Sequence, residues 1–116
     1  MGNKKSPQNH TDLDDLISEL SNSDPSRRRK ARYELIVQGD AAVLLLNQTL
    51  LTSFSKNARK EAAKALGEIG NSDAVYALIK ALEDQNFEVR WDAAEGLIAL
   101  GNTCLIPLCH ELIRNF

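Results

Sequence analysis

The chain has 116 residues, enough for one domain that buries roughly two thirds of its unfolded surface. Hydrophobic residues make up 43% and charged residues 26%, an ordinary soluble composition that excludes a disordered or membrane-spanning class. Aromatics are only 5%, the apolar content is mainly Ala and Leu, and the net charge is −2; helices are favoured over sheets, and nothing draws the whole chain to nucleic acid or acidic membranes.

In chain order, residues 1–10 are polar and aperiodic and are expected to form a disordered tail. Met1-Gly2-Asn3-Lys4-Lys5-Ser6 fits the loose N-myristoylation pattern, but that pattern is so permissive that a flexible tail is the default. No apolar run reaches the length of a membrane span, and no signal-peptide core follows Met1. LDDLISEL (13–20) predicts a first helix. Asp24 is a good N-cap, Pro25 suits the first helical position, and Gly39 closes a second helix. AAVLLLNQTL (41–50) predicts the third helix. Ser55 caps the fourth, where Ala58, Ala62, Leu66 and Ile69 make a one-sided apolar stripe up to Gly70. DAVYALIKAL (73–82) is the fifth, and Asn86 caps a sixth that ends at Gly101. CLIPLCHELI (104–113) predicts a seventh. Cys104 and Cys109 are five apart on it and point in different directions, so both read as reduced thiols of a cytoplasmic protein.

These elements are copies of one another. A shift of 31 residues lays RRKARYELIVQG (28–39) on RKEAAKALGEIG (59–70) and on RWDAAEGLIALG (90–101). Four of the twelve columns are identical in all three: Arg28/Arg59/Arg90, Ala31/Ala62/Ala93, Leu35/Leu66/Leu97 and Gly39/Gly70/Gly101. A chance triple match at one column is roughly a 1-in-200 event, so the repeat is real. The expected fold is all-α: a right-handed α-solenoid of three helical hairpins, about 12–39, 41–70 and 72–101, with a C-terminal capping helix at 103–115. One repeat domain then spans 11–116, with Leu66 and Leu97 at the centre of the stack.

The segments SKNARKEAAKALGEIGNSDAVYALIKALED and NFEVRWDAAEGLIALG resemble HEAT repeats of the phycobilisome-lyase-like type. In that family a V-R-x-x-A-A-x-A-L-G-x-I-G helix alternates with an A-V-x-x-L-I-x-x-L helix. The likeness covers about 12–115 and is weaker in the first repeat, where Arg27, Arg32 and Gln38 replace the Val, the second Ala and the Ile. The resemblance implies that residues 25–38, 56–69 and 87–100 line a concave, ligand-facing surface. It also implies an inter-repeat ladder of arginines and of aspartates six residues before them; only Asp84–Arg90 keeps that spacing, because Asn22 and Ser53 hold the other places, so the ladder is expected to be incomplete.

Arg28, Arg59 and Arg90 could form an anion-binding row, but identical periodicity in every unit is what packing demands, so a structural role is expected. The columns one and five residues further on read Arg29–Lys60–Trp91 and Tyr33–Lys64–Glu95, with Phe87 nearby. They lie outside the apolar stripe and the caps, vary from basic to aromatic to acidic, and are expected to form the partner-binding strip. Residues 25–40 carry +3 and 55–70 carry +2, against −2 for 86–102 and −5 for 11–24. Such a surface suits an acidic or apolar segment of another protein, with nucleic acid the weaker alternative and no membrane partner. Oligomeric state is not readable from the residues.

No catalytic residue is expected. HEAT proteins of the deoxyhypusine hydroxylase kind bind iron through His-Glu pairs after the repeat arginine, and the pairs here are Arg29-Lys30, Lys60-Glu61 and Trp91-Asp92. His110–Glu111 lies on the other helix class, and His10 is in the tail. No metal, cofactor or glycine-rich phosphate loop is indicated. Phycobilin lyases share the repeat type but are several times longer. The expectation is therefore a non-enzymatic interaction module, with nucleic-acid binding or an accessory place in a lyase-type complex as alternatives.

Overall fold

The computed structural model describes residues 12–102. The expected tail 1–10 and the expected helix 103–115, with Cys104, Cys109, His110 and Glu111, lie outside the described residues.

Six α-helices follow in order: α1 (Leu13–Glu19), α2 (Pro25–Gln38), α3 (Asp40–Thr52), α4 (Lys56–Ile69), α5 (Val75–Ala81) and α6 (Phe87–Leu100). A 3₁₀ turn at Ser72–Ala74 leads into α5, and no strand occurs among the described residues. The starts of the arginine-bearing helices are chemically fixed. Asp24, Ser55 and Asn86 each accept hydrogen bonds from backbone N–H groups of the first turn: Ser26, Ala58, and both Glu88 and Val89. These caps satisfy donors that the first turn leaves without helical partners.

Each odd-numbered helix packs against the even-numbered helix after it, and the hairpins stack. The helices α2, α4 and α6 form one layer and α1, α3 and α5 the other, with α4 and α3 as the central members. This is an α-solenoid. Between the layers Leu20, Leu35, Leu46, Leu66, Leu78, Val89 and Leu100 are fully buried. Each such side chain contributes about 1.5–3 kcal/mol by leaving water. Leu66 is at the centre as expected, but Leu97 is only partly buried against the core.

Small residues set how close the layers come. Ala62, Ala63 and Ala65 of α4 and Ala93 of α6 are wholly buried. At the α4–α6 crossing a Cβ added to Gly67 would lie 2.7 Å from Gly96 Cα. The two glycines put backbone against backbone. Of the repeat glycines, Gly39 (φ 63) and Gly70 (φ 79) do take positive φ, where a side chain would be strained. Gly101 does not: its φ of −60 and ψ of −30 keep a right-handed turn, so the third repeat lacks the left-handed stop.

Candidate functional site

The three repeat arginines do the same work in every unit. Each is half-buried and donates from Nη1 to the carbonyl six residues earlier: Arg28 to Asn22 (2.8 Å), Arg59 to Ser53 (2.9 Å) and Arg90 to Asp84 (2.8 Å). These bonds tie the loop between the paired helices to the helix that follows. Two of the arginines also reach the next repeat. Arg59 makes a bidentate pair with Asp84, from Nε to Oδ2 (2.8 Å) and from Nη2 to Oδ1 (3.1 Å). Arg28 donates from Nε to Glu61 Oε2 (3.3 Å), and Arg32 pairs with the other oxygen of the same carboxylate.

The ladder is therefore present at both described inter-repeat junctions, against the expectation from Asn22 and Ser53. Glu61 supplies the first carboxylate from a different column. The signal in the sequence was Arg32, which stands where the other repeats have Ala63 and Ala94: an extra buried arginine needs an extra acid. With their donors so engaged, Arg28 and Arg59 form no free anion-binding row.

The expected strip is divided. Lys60, Lys64, Phe87 and Trp91 come together with Glu88 and Asp92 around one open groove of about 390 Å³ between α4 and α6. Glu95 borders a smaller hollow alongside, sharing Lys64 and Asp92 with the groove. Arg29 and Tyr33 are exposed on α2 and line neither.

The groove has an apolar wall and a charged one. Phe87 and Trp91 lie one helical turn apart with ring centroids 6.4 Å from each other and planes tilted by 43°. Trp91 is 57% exposed, a large apolar surface left in water. Opposite, Lys60 Nζ pairs with Glu88 Oε1 at 3.0 Å, and its side chain is only 17% exposed. Lys60 is thus held across the helix junction rather than left free by packing. Its hydrogen bond, and secondarily its charge, hold the Glu88 carboxyl below the usual carboxylate range.

Sequence reasoning missed Glu88 and weighed Asp92 only as an iron ligand. Asp92 is 7% exposed at the floor of the groove. Burial pushes its carboxyl up, with the Lys64 and Lys60 charges opposing. Its column could have flagged it, since Glu61, 31 residues earlier, stands on the side facing the preceding repeat and pairs with Arg28 and Arg32 there. Among the described residues there is no histidine, no cysteine and no cluster of three possible metal ligands. What the groove offers is an aromatic wall, the Lys64 ammonium and a buried carboxyl.

The model of HEAT repeats matches residues 13–98 and, in a second register, 43–114. The chain belongs to the HEAT-repeat family. Its repeats are of the phycobilisome-lyase-like type. The HEAT array is 35% identical over 106 residues to phycocyanobilin lyase subunit alpha of Nostoc sp. (strain PCC 7120), covering 84% of this chain and 38% of the relative. It is 46% identical over 57 residues to the protein of the same name from Picosynechococcus sp. (strain PCC 7002), covering 49% of this chain and 21% of the relative. Among solved structures it is similar to a chain in the complex of CpcE and CpcF of phycocyanin lyase from Nostoc sp. PCC7120, with a TM-score of 0.59 and 35% identity. That match covers 86% of this chain and 40% of the other. The HEAT array thus spans about two fifths or less of the length of these relatives.

These relatives overturn the expectation of a non-enzyme, because both are named as lyase subunits. Two arguments behind that expectation fail. A difference in length does not separate the chain from lyases when the similarity runs over 84% of it. The lack of a nucleophile–base motif is also weak against an enzyme of several subunits, whose chemistry need not reside in one chain.

Proposed function

We propose that this HEAT array is a partner-binding component of a lyase-type complex acting on phycocyanobilin, and that it engages its protein partner through the α4–α6 groove. The observation that carries the reading is the groove itself. Four residues of the varied strip, Lys60, Lys64, Phe87 and Trp91, converge on one open surface in a chain 35% identical to a lyase subunit. Aromatic residues so exposed are the type that dominates interface energies once buried by a partner. Lys64 suits a carboxylate of the partner, and the rings suit its apolar residues.

The test is titration calorimetry of the chain against a second subunit of such a lyase, with phycocyanobilin turnover measured alongside. Trp91→Ala and Lys64→Ala are expected to weaken binding by at least about 1 kcal/mol each, with the melt nearly unchanged. Lys80→Ala and Glu83→Ala, exposed near the end of the opposite layer, are expected to do neither. If the control substitutions abolish binding and the groove substitutions do not, the reading fails.

A further inference from the structure

The smaller hollow beside the groove, of about 190 Å³ between α4 and α6, is acidic where the groove is balanced. Glu68 of α4 and Asp92 and Glu95 of α6 border it, against the one ammonium of Lys64. Glu68 and Glu95 do not line the groove, and neither Phe87 nor Trp91 lines the hollow. Both walls belong to described, adjacent repeats, so the site is framed within the chain itself.

Asp92 is the residue that packing leaves unexplained. It is only 7% exposed, yet among the described residues its carboxyl accepts no hydrogen bond and forms no ion pair. Buried carboxylates are normally paired or hydrogen-bonded, because desolvation otherwise goes uncompensated. The chain shows how this column is satisfied one repeat earlier. There Glu61 is held by two guanidinium groups of α2, those of Arg28 and Arg32. The same two columns on α4 are Arg59 and Ala63. Arg59 is engaged with Asp84, and Ala63 has no charge to give. Asp92 therefore lacks the guanidinium that its counterpart has, and it borders open space where one can enter.

We propose that the hollow binds a guanidinium, the head of an arginine side chain presented by the protein segment that lies along the groove. The source of that arginine rests on the function proposed above; the site does not. A planar fork of five donors can serve carboxylates on both walls at once, and it is more weakly hydrated than an ammonium. Gly67 and Gly96 line the hollow without side chains, which leaves flat backbone beside the planar group. The three acids do not form a cluster that could hold a metal ion, so a cation with spread donors suits them better.

N-acetyl-arginine amide is the probe, with N-acetyl-citrulline amide as its uncharged counterpart of similar shape. Added to the isotope-labelled chain, the arginine amide is expected to shift the side-chain carboxyl signals of Glu68, Asp92 and Glu95 at millimolar concentration. It should also lower the pH at which Asp92 titrates, since a cation favours the carboxylate. The citrulline amide should do neither. Glu68→Gln and Glu95→Gln, both exposed, should weaken the arginine amide about threefold each. Asp92→Asn should weaken it about tenfold. Glu83→Gln, in the opposite layer, is the control and should change nothing. Against the second lyase subunit, the Glu68→Gln, Glu95→Gln double variant should weaken binding about tenfold. The proposal is overturned by no shift, by an equal response to the citrulline amide, or by shifts centred on Lys60, Phe87 and Trp91. It is also overturned if the double variant binds the subunit as wild type does while Trp91→Ala does not, a result that keeps the groove as the partner site. A chain that takes up the arginine amide but never the subunit refutes the groove as the partner site and leaves the guanidinium site standing.

Discussion

Replacing Gly67 with alanine sets two effects against each other, and the geometry decides which wins. Alanine is the better helix former by about 1 kcal/mol in a helix interior. The new methyl, however, would sit 2.7 Å from Gly96 Cα and 3.4 Å from its carbonyl oxygen. Both atoms are backbone, so no side chain can swing away; α6 must move, and with it the Arg59–Asp84 and Lys60–Glu88 pairs that bridge the same junction. Overpacking of this kind costs about 1–3 kcal/mol, and the backbone obstacle favours the upper part of that range. The net expectation is destabilisation by about 1–2 kcal/mol. For a domain of this size that lowers the melting temperature by about 4–12 °C in calorimetry. Gly96→Ala should be milder, because its Cβ would meet Ala63 O and the movable Leu78 Cδ2, each at 3.2 Å. A Gly67→Ala protein that melts at or above the wild type would show that α4 and α6 are not in backbone contact.

Leu66→Ala, at a fully buried position, is expected to cost about 2–5 kcal/mol in denaturant unfolding, and Leu97→Ala about half as much; equal losses would contradict the unequal burial. Glu61→Ala leaves Arg28 and Arg32 without their shared acid. The loss should be about 2–3 kcal/mol, below that of a fully buried pair because both guanidinium groups keep some water, and an unchanged melt would remove Glu61 from the ladder. Asp92 binds its proton more tightly in the folded chain than at its ordinary value of 3.8, so it costs stability once the pH rises above that value. Asp92→Asn is therefore expected to melt higher than wild type at pH 7, with the gap closing as the pH falls through about 4. A gap that widens on acidification would reverse the sign of the shift.

The residues alone determined whatever is local or periodic. Asp24, Ser55 and Asn86 act as caps because capping needs only a short polar side chain and the next three residues. The 31-residue period placed Leu66 in the core, since a unit with a neighbour on each side must bury its stripe, but it overstated Leu97, which is only partly buried. Contacts between repeats were decided by the tertiary structure, for they depend on the angle and spacing at which two helices cross. Column identity did not show that Glu61 would take the place of the missing aspartate, or that Gly67 would meet Gly96. Nor did it show that Lys60 would be pinned by Glu88 while Trp91, in the same column, stayed in water. The difference between those two residues is positional: α4 has a neighbour on each side, and the far face of α6 has none among the described residues.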